Sequence, residues 1–177
     1  MWFEQAGLTL LPAASHPELL APAVAAVIGD WPSALVFAID PAEADSEVLS
    51  VKLGWPLSRC SNAVLVGGRR QGQPRQACCL TLAHRRLDVN GLIRRRLDVR
   101  KASFLPTDQA VSASGMEHGG ITPLGLDPDW PIWVDPAVTA SDWVCLGSGL
   151  RASKLLLPGA CLADLPGAEV VDGLAHD

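Results

Sequence analysis

The residues best suited to carry out chemistry lie in segment 119–125, which reads Gly-Gly-Ile-Thr-Pro-Leu-Gly. Consecutive glycines permit positive φ angles and carry no Cβ, so backbone amides in this segment can point into a pocket. Such amides can bind a carbonyl oxygen and stabilise it as it becomes an oxyanion. Pro123 stiffens the loop, and the preceding His118 could donate a hydrogen bond or carry a proton near neutral pH. The alternatives are a tight helix-to-strand connection and an exposed loop histidine.

A second candidate wall of the pocket is Gly147-Ser148-Gly149, which follows an apolar run. A serine between glycines suggests a nucleophile, but the chain has no G-x-S-x-G motif, and neither His84 nor His118 is identifiable as a base. A Ser–His hydrolase is therefore disfavoured. The phosphate loop G-x-x-x-x-G-K-[ST] and a G-x-G-x-x-G after a strand are also missing, so no nucleotide cofactor is expected.

The five cysteines are expected to be reduced and mostly buried, because their number is odd and no C-x-x-C pair occurs. Cys78 and Cys79 should face opposite sides of a strand. The four histidines do not supply metal-ligand spacing, so we expect neither a metal site nor a cofactor.

Basic residues are concentrated in segment 59–101, which holds eleven of the fourteen and only two acidic residues, a local charge of +9. The remaining chain carries three basic and seventeen acidic residues, or −14. A basic face on an acidic body can hold a phosphate backbone. The alternative is that these arginines are solvated and pair with acids elsewhere in space.

The bulk composition is that of a globular protein, with 177 residues, 49% hydrophobic and 19% charged. This length predicts a single domain, 1–177. No apolar run approaches the ~20 residues that span a bilayer. The first residues carry Glu4 and no basic region, so a secretory signal is not expected. We expect a cytoplasmic protein without a membrane partner.

Helices are predicted at about 17–28, behind a Ser15–Glu18 capping box, at 42–53, capped by Asp40, at 89–97, capped by Asp88, and at 107–115. Strands are predicted at 34–39, 63–66, 77–82, 132–134, 143–146 and 155–157, with a last helical turn at 162–165 and an edge strand at 169–172. Segment 67–75 is predicted to be a polar hairpin loop. Short strands interrupted by uneven helices indicate a mixed α+β fold.

The order of these segments resembles the YbaK/EbsC family, free-standing relatives of the bacterial prolyl-tRNA editing domain. The resemblance covers about residues 40–172. It is carried by the segments 61–66, 86–90, 99–103, 119–125, 131–135, 147–149 and 154–157. It implies a mixed, barrel-like sheet flanked by helices.

The resemblance implies hydrolysis of the ester between a wrong, small amino acid and the 3′ adenosine of a tRNA, of the prolyl type, without metal or covalent intermediate. Backbone amides of the Gly119–Pro123 loop would hold the aminoacyl carbonyl. Many members carry a lysine where this chain has Asn62, which offers only neutral hydrogen bonds. The expected catalytic residues are Gly119, Gly120 and Asn62. The expected substrate-binding residues are Ile121, Thr122, Pro123, His118, Gly147, Ser148 and Gly149.

The expected tRNA contacts come from the basic segment and are Arg69, Arg70, Arg85, Arg86, Arg94, Arg95 and Lys101. The expected partner is the acceptor end of a tRNA. Docking on an aminoacyl-tRNA synthetase and the oligomeric state stay open. Asn62 also supports a non-catalytic module that binds the tRNA end or an aminoacyl group. A small-ester hydrolase dependent on Ser148 or His118 is a third alternative.

Overall fold

The computed structural model describes the backbone of all 177 residues and every side chain except those of Gln5 and Ala6. The strands are β1 Leu11–Pro12, β2 Leu35–Ala38, β3 Ser61–Arg70, β4 Gln73–Leu82, β5 Arg86–Leu87, β6 Ala102–Phe104, β7 Ile132–Val134, β8 Val144–Gly147, β9 Ser153–Leu157, β10 Ala168–Val170 and β11 Ala175–His176. The α-helices are α1 Pro22–Val27, α2 Ser46–Leu53, α3 Arg94–Arg96, α4 Thr107–Ser114 and α5 Pro136–Thr139. Short 3-10 turns and a π-helical turn, Val89–Ile93, connect them.

The strands form two larger sheets and one small one. The first has the order β1-β2-β9-β8 and is antiparallel, and the second has the order β10-β7-β4-β3-β6, with β7 parallel to both β4 and β10. Strands β11 and β5 form a separate pair. A single parallel bridge between Cys60 and Cys145 joins the start of β3 to β8. The mixed α+β prediction is confirmed. The described strands do not close into a barrel, so the barrel-like expectation is not confirmed.

The β3–β4 hairpin is longer than the sequence predicted. Its strands pair from Ser61–Leu82 out to Arg70–Gln73, and only Gln71 and Gly72, both with positive φ, form the turn. The prediction of a loop at 67–75 was wrong because Gly68 lies within the strand. A Cβ there would come within 2.4 Å of the Lys101 carbonyl oxygen, so the glycine permits the close approach of the chain beside β6.

The core is divided between the faces of β4, as the adjacent cysteines predicted. Cys78 packs in the main cluster, which contains Leu80, Val134 and Leu155, whereas Cys79 packs against Trp133 on the opposite side. Cys60, Cys78, Cys79 and Cys145 are buried and Cys161 is partly buried, all as free thiols. Burial raises the pKa of the Cys78 thiol to about 12.

The helix predicted at 42–53 is divided into a 3-10 turn, Pro41–Glu43, and α2. Asp40 caps the turn by accepting a hydrogen bond from the Ala42 amide, and Asp45 caps α2 by accepting one from the Glu47 amide. The second cap was missed by the sequence reasoning. The cap at Asp45 separates the 3-10 turn from α2 at Ala44, and so helps to set the position of the Ala44 carbonyl group.

The helix predicted at 17–28 is also divided, into the turn Pro17–Leu19 and α1. Pro22 occupies the first position of α1 and holds the preceding Ala21 in an extended conformation, so one continuous helix cannot form. The predicted Ser15–Glu18 capping box is not formed; the carboxylate of Glu18 instead contacts His16. None of the described helices is long and apolar enough to cross a membrane.

Asp88 caps the segment 89–97 as predicted. Its carboxylate accepts hydrogen bonds from the amides of Gly91 and Leu92, and these hydrogen bonds lower the pKa of Asp88. The segment begins with the π-helical turn and continues as α3. The last elements also follow the sequence reasoning: a 3-10 turn covers Gly159–Ala163, slightly before its predicted place, and β10 is an edge strand.

Candidate functional site

A cavity of about 240 Å³ lies where the start of β3, the end of β8, the start of β9, the beginning of α2 and the glycine loop meet. The two sheets are joined at this corner by the Cys60–Cys145 bridge. Its lining is largely backbone and small polar side chains: Ala44, Asp45, Ser46, Ser61, Asn62, Ala63, Val64, His118, Gly119, Ile121, Gly147 and Lys154. The structure therefore brings together residues distant in the sequence, several of which the sequence reasoning had selected.

The glycine loop is held rigidly by its own backbone. Gly120 donates its amide hydrogen to the Glu117 carbonyl (2.9 Å) and accepts at its carbonyl from the Gly149 amide (2.7 Å). A Cβ on Gly120 would lie 2.4 Å from the Leu150 carbonyl oxygen. Gly120 is closely packed and its amide is already used, so the amides of its neighbours are better candidates for the catalytic role expected of the loop.

The loop amides that remain available are those of Gly119 and Ile121. Both residues line the cavity, and neither amide donates to any group that the structure describes. Gly119 adopts a φ of 81°, a conformation that glycine reaches without strain. The hydrogen bond from Gly149 to the Gly120 carbonyl also polarises the peptide that carries the Ile121 amide. The loop thus presents two candidate donors to one cavity.

Asn62 lies at the start of β3 with its side chain at the cavity. Its Oδ1 accepts a hydrogen bond from Ser46 Oγ (2.6 Å), at the beginning of α2. This contact uses the acceptor end of the amide, so the Nδ2 donors are left for a ligand. Asn62 is thus a neutral donor whose orientation is set by Ser46.

Lys154, on β9, is the residue that the sequence reasoning missed. Only 5% of it is exposed, and its Nζ donates to the carbonyl oxygens of Ala44 (2.7 Å) and Gly119 (2.8 Å). Of the side chains lining the cavity, this is the one lysine or arginine. The signal in the sequence is a single lysine directly before three leucines, in segment 154–157. The leucines predict a buried strand, but they do not indicate that the lysine is buried with them.

Burial lowers the pKa of Lys154 from its ordinary value of 10.5, and the negative charge of Asp45 opposes this decrease. Between the lowered folded-state pKa and the unfolded value, the unfolded chain binds more protons than the folded one. The free energy of unfolding therefore rises with pH in that window. Below the window the whole cost of burying the ammonium applies.

Four of the expected substrate-binding residues do not line the cavity. Thr122 and Pro123 are buried behind the loop, where the Thr122 amide contacts Met116 Sδ (3.4 Å). Ser148 is fully buried, and its Oγ shares a hydrogen bond with Ser153 Oγ (2.7 Å). Gly149 supports the loop through its amide. These residues position the site and do not present groups to it.

His118 and Gly147 do lie at the cavity. His118 is exposed there, and its carbonyl accepts a hydrogen bond from Arg151 Nη1 (3.1 Å). Gly147 ends β8 directly against the loop, and a Cβ on it would come within 2.1 Å of the Gly120 carbonyl oxygen. Only a glycine at this position allows the loop to lie so close to the strand.

The arginines expected to bind tRNA fall in three places. Arg69 and Arg70 are exposed at the far tip of the hairpin, beside Lys101, and a strand rise of ~3.3 Å per residue places them about 25 Å from Asn62. Arg94 and Arg95 lie on α3. Arg86 is exposed on β5.

Arg85 has a structural environment that the sequence did not reveal. Its Nε lies 2.9 Å from Asp135 Oδ2, and its guanidinium also contacts Asp177 and the Ala175 carbonyl. Asp135 is buried and further accepts from Thr81 Oγ1 (2.8 Å). Arg85 is thus occupied in holding the C-terminal end of the chain against β4 and the segment after β7.

Among the described side chains, no group of three or more His, Cys, Asp or Glu residues is arranged to hold a metal ion. The donors at the cavity include backbone amides, the Asn62 carboxamide and the Lys154 ammonium, beside the hydroxyls of Ser46 and Ser61 and the imidazole of His118. The amides, the carboxamide and the ammonium suit a carbonyl oxygen or an oxyanion.

The model of the aminoacyl-tRNA editing domain family matches residues 40–165, well over half of the chain. No match is found among curated proteins.

Two solved structures share the fold at low identity. A protein provisionally assigned as a trans-editing enzyme for prolyl tRNA synthetase superposes with a TM-score of 0.71 at 17% identity, covering 86% of this chain and 94% of its own. The hypothetical protein APE2540 superposes with a TM-score of 0.69 at 18% identity, covering 80% of this chain and 90% of its own. With the family model matching residues 40–165, the chain belongs to the aminoacyl-tRNA editing domain family.

Proposed function

We propose that this protein is a deacylase that hydrolyses the ester of a mischarged tRNA, of the prolyl type, in trans. The observation that carries the proposal is a cavity lined by Gly119, Ile121 and Asn62, in which the two loop residues have backbone amides that donate to no described group. Membership of the editing family supports the substrate class, and the structural neighbour supports the prolyl type. Because aminoacyl-tRNA is used in the cytoplasm, the proposal includes that location.

The geometry suggests the course of the reaction. The aminoacyl carbonyl oxygen accepts hydrogen bonds from the Gly119 and Ile121 amides, and a water molecule attacks the carbonyl carbon. The carbonyl π electrons move to oxygen, and the resulting oxyanion is stabilised by the same amides. On collapse, the bond to the ribose oxygen breaks, and that oxygen takes the proton that the water has lost. The neighbouring ribose hydroxyl is suited to relay this proton.

The size of the cavity supports a small wrong amino acid as the substrate. At about 240 Å³ it lies below the ~300–1,000 Å³ typical of pockets for drug-sized ligands. The largest apolar side chains of its lining are those of Val64 and Ile121, and we propose that larger amino acids are excluded by contact with them. The terminal adenosine would then lie at the mouth, near the exposed His118.

Ser148→Ala is expected to retain the deacylation rate within about threefold, because the buried serine is hydrogen-bonded within the fold and no step uses it. A loss of about 1 kcal/mol in the free energy of unfolding is expected from the lost hydrogen bonds. Single-turnover hydrolysis and urea unfolding of the same preparation measure both quantities. Complete loss of activity with an intact fold would favour the small-ester hydrolase with a serine nucleophile.

Arg69→Ala combined with Arg70→Ala is expected to weaken tRNA binding about tenfold at low salt, with kcat unchanged, because the hairpin tip would contact phosphates far from the ester. The slope of log K against log salt should fall by about 2, one for each lost phosphate contact. Filter binding over a salt series measures it. Lys52→Ala, on the exposed face of α2, is the matched control. Equal slopes for both variants would contradict a tRNA contact at the tip.

The experiment that tests the function is a deacylation panel. Purified protein is incubated with tRNAs mischarged with alanine, serine, threonine, cysteine or 2-aminobutyrate, beside correctly charged controls. We expect selective hydrolysis of one small mischarged species. Binding without hydrolysis of any species would instead favour the non-catalytic module. Adding the cognate synthetase to the panel tests whether docking on it raises the rate.

A further inference from the structure

Lys154 is a buried cation that makes no salt bridge with any described carboxylate, and the two contacts of its Nζ are to neutral carbonyl groups. The carboxylate of Asp45, which lines the same cavity, acts on Lys154 only from beyond salt-bridge distance. Burying an ammonium is costly unless an opposite charge offsets it. An apolar residue would fill the same position of β9 without that cost, so the charge calls for a functional explanation.

The space beside Lys154 indicates where the opposite charge would come from. Lys154 lines the same cavity as the unused amides of Gly119 and Ile121. An ammonium has three N–H donors, and two of them are occupied by Ala44 and Gly119. The third donor, the positive charge and the two amides are candidates to bind an anion in this cavity, which the carboxylate of Asp45 also lines.

We propose that Lys154 is a catalytic residue of this site, which places its positive charge on the oxyanion that forms when the ester is attacked. This inference rests on the proposed function and deepens it. The charge that Asn62 cannot offer from β3 is supplied from β9, which lines the same cavity. The protein then combines a neutral donor on one strand with a cation on another.

The catalytic step assigns Lys154 no proton transfer. The water oxygen bonds to the carbonyl carbon, the π electron pair moves to the carbonyl oxygen, and that oxygen becomes negative. Lys154 stays protonated and stabilises this negative charge until the bond to the ribose oxygen breaks. Because the interaction strengthens only as charge develops, its loss should reduce kcat and leave KM nearly unchanged.

The test compares wild type, Lys154→Met and the double variant Asn62→Lys with Lys154→Met. We expect Lys154→Met to lower kcat about 10²-fold, the typical cost of one oxyanion donor, while the melting temperature is not lowered by more than a few degrees. The double variant should recover about tenfold or more, because the charge returns to the same cavity from β3.

A purely structural lysine would behave differently. If Lys154 only ties Ala44 to Gly119, a lysine at position 62 cannot replace those contacts, and the double variant would be no faster than Lys154→Met. That result, or a kcat of Lys154→Met within twofold of wild type, overturns the proposal and leaves the deacylase function standing.

A second measurement does not depend on catalysis. Sulfate, a tetrahedral dianion, is titrated into the isotopically labelled protein while the amide resonances of Gly119 and Ile121 are followed. Saturable shifts in wild type that vanish in Lys154→Met support the anion site, whether or not any tRNA ester is hydrolysed. If the shifts are seen but no ester is hydrolysed, only the proposed function is contradicted. No saturable shift in wild type, or equal shifts in both proteins, overturns the inference.

Discussion

Replacing Gly147 by alanine should reduce the deacylation rate by roughly 10³-fold, because it displaces the loop that carries both amide donors. An added Cβ would meet the carbonyl oxygens of Gly120 at 2.1 Å and Ile121 at 2.5 Å. These are backbone atoms, so no side chain can move aside to relieve the contact. The loop must shift instead, and displacements of about 1 Å already cost ~10²-fold in well-oriented sites.

The matched control is Gly29→Ala, since a Cβ at Gly29 meets nothing within 4 Å. Single-turnover hydrolysis is measured well below the melting temperature of each variant, so that any loss of stability in Gly147→Ala does not enter the rate. Wild-type kinetics in Gly29→Ala and a severe loss in Gly147→Ala are expected. Near-normal rates in a folded Gly147→Ala protein would show that the loop position is not critical to catalysis.

Replacing Asp135 by alanine should lower the free energy of unfolding by about 3–5 kcal/mol, because it leaves the partly buried Arg85 without its buried counter-ion and with only the exposed Asp177. The same carboxylate accepts from Thr81 Oγ1 and from the Ala137 amide, where it caps α5. Urea unfolding measures the change as a shift of the midpoint at constant slope.

Two further variants identify the cause of that loss. Asp135→Asn keeps the shape and the cap of α5 but removes the charge, so the part of the loss that persists in it reports the ion pair with Arg85. Arg86→Ala, on the exposed neighbour, should stay within about 0.5 kcal/mol of wild type. A loss below about 1 kcal/mol in Asp135→Ala would contradict the structural environment described for Arg85 and return it to the candidates for tRNA binding.

The sequence predicts that the loop 119–125 offers backbone amides as hydrogen-bond donors. It does not predict which of these amides are free of partners in the folded protein. Three glycines and a proline within 119–125 predict a rigid loop with an accessible backbone. The choice between Gly120 and its neighbours depends on hydrogen bonds to Glu117 and Gly149, which only the fold brings into place. Long-range backbone contacts of this kind leave no local pattern, so the expectation for Gly120 could not have been refined.

Lys154 was hidden for a different physical reason. Lysine is rarely buried, so a lysine directly before an apolar run is ordinarily interpreted as the exposed residue at which a strand begins. Here β9 is the inner strand between β2 and β8, and its lysine is buried against α2 and the loop. The strand was predictable from its leucines, whereas its position in the sheet was not.

Several arginines of the basic segment 59–101 are paired with acidic residues in the fold, which a count of charges along the sequence does not predict. Segment 59–101 does contain most of the basic residues, but not all of them are free to bind a phosphate. Arg85, for example, pairs with Asp135 from a distant segment. Arg75 and Arg70 lie near Asp98, and Arg96 pairs with Glu169. Sequence distance conceals such pairs. The exposed arginines of the hairpin tip and α3 stay predictions for tRNA binding.

The proposed deacylase activity is measured by single-turnover hydrolysis of alanyl-tRNA of the prolyl type, with wild-type protein in excess over the ester. We expect a first-order loss of alanine far faster than spontaneous hydrolysis, with correctly charged prolyl-tRNA left intact. Decay of the mischarged ester at the spontaneous rate, under conditions where the protein demonstrably binds the tRNA, would show that the protein is not a deacylase of this substrate.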